Sequence, residues 1–349
     1  MVILIKRQPS IEGCLFINSN YKKHLFLMID WSTINKPSKC PTVTAKTILQ
    51  QLQNGIGISF SRILDPITRF AENFPALSGN ILEMHFARYA HSIDFAIRVN
   101  KQFDQGIAFS PNDYRFHLNV LPTELFNNAV ENVWFEYDAP FKNKPSVFFD
   151  IGRNKDFCPE KAYSYFRDIL FKYGLPEKKI FNFLQKIKEQ DARVVYYGLM
   201  FSRPSSSVRL TINDIKPKNL VQVLFKLGWK GNYNAIERIC NRYIHEAQKI
   251  VIAVDVEDKL RNRIGIEIFD NDSPRLIKQF YTDDLINYQQ ICWLKDWERI
   301  IDLPSHLCYS LSKQYRRNIK QLHTRINHFK FVVNETENVL LKGYLYYCF

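Results

Sequence analysis

In three stretches of this chain, charged or hydroxyl residues alternate with aliphatic and aromatic ones. Asp94 and Arg98 interleave with Ile93, Phe95 and Ile97; Arg209 and Thr211 with Val208, Leu210 and Ile212; Arg263 and Glu267 with Ile264, Ile266 and Ile268. Extended backbone sends alternate side chains to opposite faces, so each stretch would carry one apolar face and one face of guanidinium, carboxylate and hydroxyl groups. Guanidinium donors suit phosphate or carboxylate oxygens, and a carboxylate can orient or deprotonate a nucleophile. A strand wetted by bulk solvent shows the same alternation, so its meaning depends on the elements that carry it.

Those elements recur. The run VVYYGLMFSRPSSSVRLTIND (194–214) is an apolar-leaning arm, a Ser/Pro turn and an alternating arm, the layout of a β-hairpin. Four further stretches share it: 81–100, 132–153, 249–270 and 328–349. The turns fall near 90, 142, 204, 259 and 336, a loose but steady repeat. Between hairpins the period changes to that of helices. KAYSYFRDILFKYG stops at Gly174 and Pro176, and EKKIFNFLQKIKEQ aligns Ile180, Phe183, Leu184 and Ile187. NLVQVLFKLGW and NAIERICNRYIHEAQ fill the next gap, and LINYQQICWLKDWERII and LCYSLSKQYRRNIKQLHTRI the last. In that final segment Leu311, Tyr315, Ile319, Leu322 and Ile326 keep helical spacing, which reads the basic residues of 312–325 as the wet face of a packed helix. LPTELFNNAV (121–130) is the one helix legible between the first two hairpins. Upstream, TAKTILQQLQNGI and SRILDPITRFAENF read as helices, and LFINSNYKKHLFLMID (15–30) as an extra strand or two.

Hairpins separated by helix pairs predict an α+β fold with one antiparallel sheet and its helices on one side. Ten strands can close into a barrel, which removes exposed edges. The expectation is a ten-stranded antiparallel barrel of consecutive α-β-β-α repeats over residues 81–349, with residues 1–80 a mixed segment packed on it. The isoleucine faces then meet the helices. Asp94, Arg98, Arg209, Thr211, Arg263 and Glu267 point into a wet lumen.

Composition narrows the class. With 349 residues, 46% hydrophobic and 24% charged, the chain reads as globular, and its apolar runs are too short to cross a bilayer. MVILIKRQPS lacks the plan of a signal peptide, so a cytoplasmic location and no membrane partner are expected. Seven scattered cysteines, none spaced for a zinc cage or redox turn, are expected to be reduced. The net charge of +13 suits an anionic ligand, whether acidic peptide, diphosphate or RNA; without clustering, nucleic acid is the weakest of these. There is no DDxxD, Walker, GxGxxG, HExxH or GxSxG motif; Asp283 and Asp284 stand alone, and His85 and His91 read as ordinary polar residues.

The repeat layout resembles the ABBA prenyltransferases, and within them the cyanobactin-type peptide prenyltransferases. The likeness spans roughly residues 80–349 and includes two short patterns, YYGLMFSRPSSSVRLTI and the Glu of NRIGIEIFD. It implies transfer of a dimethylallyl or geranyl group from a prenyl diphosphate to a nucleophilic side chain of a small peptide, or to an aromatic small molecule. It also implies cations and hydroxyls for the leaving diphosphate, and aromatic faces to shelter the allyl cation. Arg98, Arg209, Lys342, Tyr344 and Tyr346, with Lys330 beside them, are the candidates for the first need; Trp134, Tyr196 and the same two tyrosines for the second. Glu136 and Glu267, backed by Asp94, are the candidate catalytic carboxylates. Magnesium is the metal that would accompany the diphosphate, and no organic cofactor is expected. The same aromatics serve equally as core, and the same cations as counter-charges to buried carboxylates. A non-catalytic, peptide-binding barrel assisting precursor-peptide maturation is therefore the rival reading, and a lumen blocked by side chains is its signature.

Overall fold

The structure is a computed structural model that describes residues 43–349 except 57, 87–91, 101–102, 105–129, 131, 142–143, 152–158, 173, 175–176, 203–206, 258 and 336–338. The strands read at 15–30, the helix at 121–130 save its last residue, and His91 lie outside the described residues.

Ten strands form the five expected hairpins: β1 Gly79–His85 with β2 Ile93–Asn100, β3 Asn132–Tyr137 with β4 Ser146–Asp150, β5 Arg193–Leu199 with β6 Val208–Ile215, β7 Lys249–Val256 with β8 Leu260–Phe269, and β10 Gln321–Val333 with β11 Val339–Cys348. Each pairs antiparallel with its neighbour, and β11 pairs with both β10 and β1, closing the barrel. A three-residue strand, β9 (Ile300–Asp302), adds to the start of β10. Closure leaves the ten principal strands no open edge to pair with another chain.

Nine α-helices surround the barrel among the described residues: α1 Ala45–Gly55, α2 Ile58–Phe70, α3 Pro159–Lys172, α4 Glu177–Lys188, α5 Leu220–Leu227, α6 Tyr233–Ile239, α7 Ser273–Thr282, α8 Tyr288–Trp297 and α9 Ser305–Tyr315. Their ends follow local chemistry. Thr44 caps α1 by accepting the Thr47 N–H, and Gly228, at φ +79°, closes α5. The core lies between helices and barrel. Ile264, Ile266 and Ile268 of β8, with Val208, Leu210 and Ile212 of β6, are fully buried there. Each such side chain contributes about 1.5–3 kcal/mol of burial free energy.

Two readings need correction. The helix read across 307–326 ends at Tyr315, where Arg316 turns left-handed at φ +53°, and Gln321–Ile326 already belongs to β10. Strand pairing, of Leu322 with β9 and of Ile326 with β11, overrides the helical spacing, and Ile319 lies in the connection before β10. Conversely, SPRLIKQFYT forms α7, whose signals were local: Asp272 accepts the Arg275 N–H as N-cap, and Leu276, Ile277 and Phe280 are buried.

Candidate functional site

Alternate residues of every barrel strand face a common interior. Period-two counting placed Asp94, Arg98, Trp134, Glu136, Tyr196, Arg209, Thr211, Arg263, Glu267, Lys342, Tyr344 and Tyr346 there, and each alternates with a residue of the outer core. Among the register shifts of the barrel, two bear on the site residues. A register shift between Val194 and Tyr196 turns Tyr196 inward while Val194 and Tyr197 stay in the outer core, and one between Ile326 and His328 lets Arg325 and His328 share the inner face.

The end of the lumen near His85 is filled by ion pairs. Lys342 Nζ hydrogen-bonds to Glu83 and lies 4.0 Å from Asp94 Oδ2; His85 Nε2 lies 2.7 Å from that same oxygen and 3.5 Å from Glu83 Oε1. Asp94 Oδ1 accepts the backbone N–H of Ala139 at 2.9 Å, tying the β3–β4 turn to β2. Burial works against a charge on His85, but hydrogen bonds to Asp94 and Glu83 outweigh it and raise its pKa to about 9. For Glu83 the burial penalty is overcome by Lys342 and His85, which hold it well below the usual carboxylate range. Arg209 grips Asp255 through Nε and Nη2, at 2.7 and 2.9 Å. The cavity between Glu83, Arg209, Asp255, Arg263, Lys330 and Lys342 measures about 10 Å³, room for one water.

Glu83, His85 and Asp94 bring their ligand atoms within 4.8 Å of one another. They do not fit a magnesium ion. The Lys342 ammonium and a protonated His85 already neutralise both carboxylates, and the imidazolium has no free lone pair.

Toward the middle, Lys330 Nζ contacts Glu267 Oε1 at 3.1 Å and the Tyr344 hydroxyl at 3.3 Å. Burial raises the pKa of Glu267, and Lys330 more than offsets it, so the carboxyl titrates below its ordinary value. His328 lies beside this group, with Nε2 3.8 Å from Glu267 Oε2. Burial drives its pKa down to about 4, so it is neutral at pH 7. The Tyr344 phenol is pushed well above its normal range, first by burial and then by Glu83, Glu136 and Glu267.

The other end, near Asn100, is differently furnished. A ladder of side-chain hydrogen bonds joins Asn100 to Asn132 (2.6 Å) and Asn132 to Asp150 (2.7 Å) across β2, β3 and β4. Above it Arg98, 8% exposed, lies 5.7 Å from the Trp134 ring centroid and 5.8 Å from that of Tyr346. Arg325 lies 5.0 Å from Tyr346 as well. Neither arginine has a carboxylate within ion-pair distance among the described residues. Tyr196 is half-buried here near Asp150, and its phenol pKa is raised, by desolvation first.

The structure thus gathers the site candidates into one lumen but divides them. Arg209 and Lys342 are tied to Asp255 and Glu83, whereas Arg98, Tyr346 and Trp134 stack at the opposite end. Sequence reasoning missed Glu83, Asp255, Arg325 and His328. Glu83 and Asp255 could have been found by extending the alternation of β1 and β7; Arg325 and His328 could not, because helical spacing and a bulge concealed them.

No family profile matches the chain, and no curated protein matches it either. Among solved structures it is similar to 5-dimethylallyl tryptophan synthase from Streptomyces coelicolor in complex with DMASPP and Trp, at 10% identity over 87% of this chain and 95% of that one, with a TM-score of 0.48. It is also similar to prenyltransferase PriB in ternary complex with L-tryptophan and dimethylallyl thiolodiphosphate, at 10% identity over 86% and 94% of the two chains, with a TM-score of 0.46.

Proposed function

We propose that the barrel transfers a dimethylallyl or geranyl group from a prenyl diphosphate to a nucleophilic side chain of a small peptide or to an aromatic small molecule. The observation that carries this reading is Arg98: a buried guanidinium with no carboxylate partner among the described residues, flanked by the faces of Trp134 and Tyr346. A cation of this kind favours a diphosphate leaving group, and the neighbouring aromatic faces favour an allyl cation over water.

In the reaction so read, the C–O bond of the allylic diphosphate breaks and the diphosphate departs with the electron pair, held by Arg98. Trp134, Tyr196, Tyr344 and Tyr346 shelter the cation. The acceptor's nucleophilic atom bonds to the allylic carbon and loses a proton to Glu267, ionised beside Lys330, with Glu136 the alternative base. Arg209 and Lys342 contribute to anion binding only when their pairs with Asp255 and Glu83 open.

The rival is a non-catalytic barrel that binds a precursor peptide. It is favoured by the pairs Lys342–Glu83, Arg209–Asp255 and Lys330–Glu267 and by the cavity of about 10 Å³ among them. Calorimetric titration of dimethylallyl and geranyl diphosphate, with and without magnesium and at two salt concentrations, separates the two. Micromolar binding that Arg98→Ala weakens supports the transferase; no binding of either donor by folded protein removes it and leaves the peptide-binding barrel.

A further inference from the structure

The two most exposed large apolar side chains among the described residues are Phe171 (78%) and Phe225 (74%). One exposed phenylalanine is ordinary, but these two stand on neighbouring elements. α3, which carries Phe171, packs on α4, and α4 packs on α5, which carries Phe225. All three helices turn an apolar face inward: Phe166 of α3, Ile180 and Leu184 of α4, and Leu220 and Leu224 of α5 are buried in the core. Their outer faces therefore adjoin, with neighbouring axes about 8–10 Å apart.

The surface so formed is cationic. Lys178 and Lys186 of α4, Lys226 of α5, and Lys216, Lys218 and Lys230 beside the ends of α5 are all exposed. None of the six has a carboxylate within ion-pair distance among the described residues. Nearby carboxylates are engaged elsewhere: Glu177 accepts the Tyr163 hydroxyl at 2.8 Å, Glu160 accepts the Gln185 amide at 2.7 Å, and Asp214 pairs with Arg193 at 2.6 Å. On other parts of the surface Lys46, Arg242, Arg261 and Arg275 each pair with a carboxylate. Part of the chain's excess of +13 thus stands uncompensated on this one face.

What complements the face is negative and brings apolar side chains to cover the two phenylalanines. In an extended polypeptide, side chains on one side recur about every 7 Å, close to the spacing of packed helices. One segment that mixes Asp or Glu with Leu, Phe or Trp can therefore meet lysines of both α4 and α5 and still lay an apolar group on Phe225. A bilayer suits the face less, because helices that lie on membranes present a continuous apolar face, and α4 and α5 have turned theirs into the core. Nucleic acid suits it less, because phosphate recognition favours the arginine fork and these six cations are lysines.

We infer that the outer face of α3, α4 and α5 docks an acidic, apolar-bearing segment of a partner polypeptide, with the lysines supplying the attraction and Phe171 and Phe225 the apolar contacts. The face lies outside the barrel, so the inference does not rest on the function proposed above.

The test is fluorescence anisotropy of a labelled peptide titrated with the full chain at two salt concentrations. The peptide is rich in glutamate with leucine and tryptophan at intervals, and about 16 residues, roughly 50 Å when extended, lets it cross the helices. The expected result is saturable binding that weakens severalfold on raising the salt. Phe225→Ser is expected to weaken it about tenfold, and the pair Lys186→Glu with Lys226→Glu about fivefold or more. The control is Lys278→Glu with Lys295→Glu, which changes the net charge equally on exposed positions of α7 and α8, and circular dichroism checks that each variant folds. The docking face is overturned if the folded wild type does not bind the peptide, or if either Phe225→Ser or the Lys186–Lys226 pair binds it like the control. It is also overturned if polyuridylate, or vesicles of equal parts phosphatidylcholine and phosphatidylserine, bind more tightly than the peptide through the same side chains; the partner is then nucleic acid or membrane.

Discussion

The imidazole of His328 lies on the ring of Tyr344 with 4.1 Å between centroids and 19° between planes. The contact seals a neutral histidine in the barrel and couples its protonation to folding.

With its native pKa near 4 against 6.5 in the unfolded chain, His328 makes the unfolded state the better proton acceptor between those values. Stability is thus expected to fall by up to about 3 kcal/mol as pH drops from 6.5 through 4. His328→Phe should flatten that part of the curve. Urea unfolding of both proteins across this range measures the difference, and parallel curves would show that His328 titrates normally.

His85 carries the opposite sign. Its native pKa of about 9 lies above the unfolded value, so its contribution is complete below pH 6.5 and lost as pH rises through 9. Its side chain is 30% exposed, and allowing for that solvent leaves about 2 kcal/mol. His85→Gln should remove this alkaline loss in the same unfolding experiment.

Lys342 and Glu83 form a pair whose members are both buried, so breaking it leaves an uncompensated charge. Lys342→Met is expected to destabilise the protein by about 3–5 kcal/mol, and adding Glu83→Leu to recover most of that. A double-mutant cycle by chemical denaturation reads the coupling. A single-variant cost under about 1 kcal/mol would mean that water reaches the pair.

Gly79 opens the space that Arg98 uses. A Cβ at this position would lie 2.6 Å from the Tyr346 hydroxyl and 2.7 Å from Arg98 Nη2, so Gly79→Ala must displace one of these side chains. The expected outcome is a loss of about tenfold in pyrophosphate affinity with thermal unfolding shifted by only a few degrees. Unchanged affinity would place the anion away from Arg98.

Much of this architecture is legible along the chain because its cause is local. Ile264, Ile266 and Ile268 must face a core, and period-two geometry then sends Arg263 and Glu267 to the other side whatever the rest of the fold does. The same rule placed Arg98, Trp134, Lys342 and Tyr346 inside the barrel. It failed where spacing and pairing compete: Leu311 to Ile326 suits a helix by spacing, and pairing of Gln321–His323 with β9 and of His323–Val333 with β11 decides for a strand.

What the sequence by itself determined is therefore the ten strands, their faces and the types of side chain that line the lumen, since these follow from alternation and from the burial of aliphatic residues. Only the tertiary structure decided which charges cancel. Arg209 and Lys342 look no different from Arg98 in sequence, yet Asp255 lies 46 residues and Glu83 259 residues away from the cations they neutralise. Barrel closure sets β11 beside β1, which places Lys342 next to Glu83. The bulge in β10 adds Arg325 and His328 to the inner face, and no periodicity reveals a bulge, because it is the point where the period breaks.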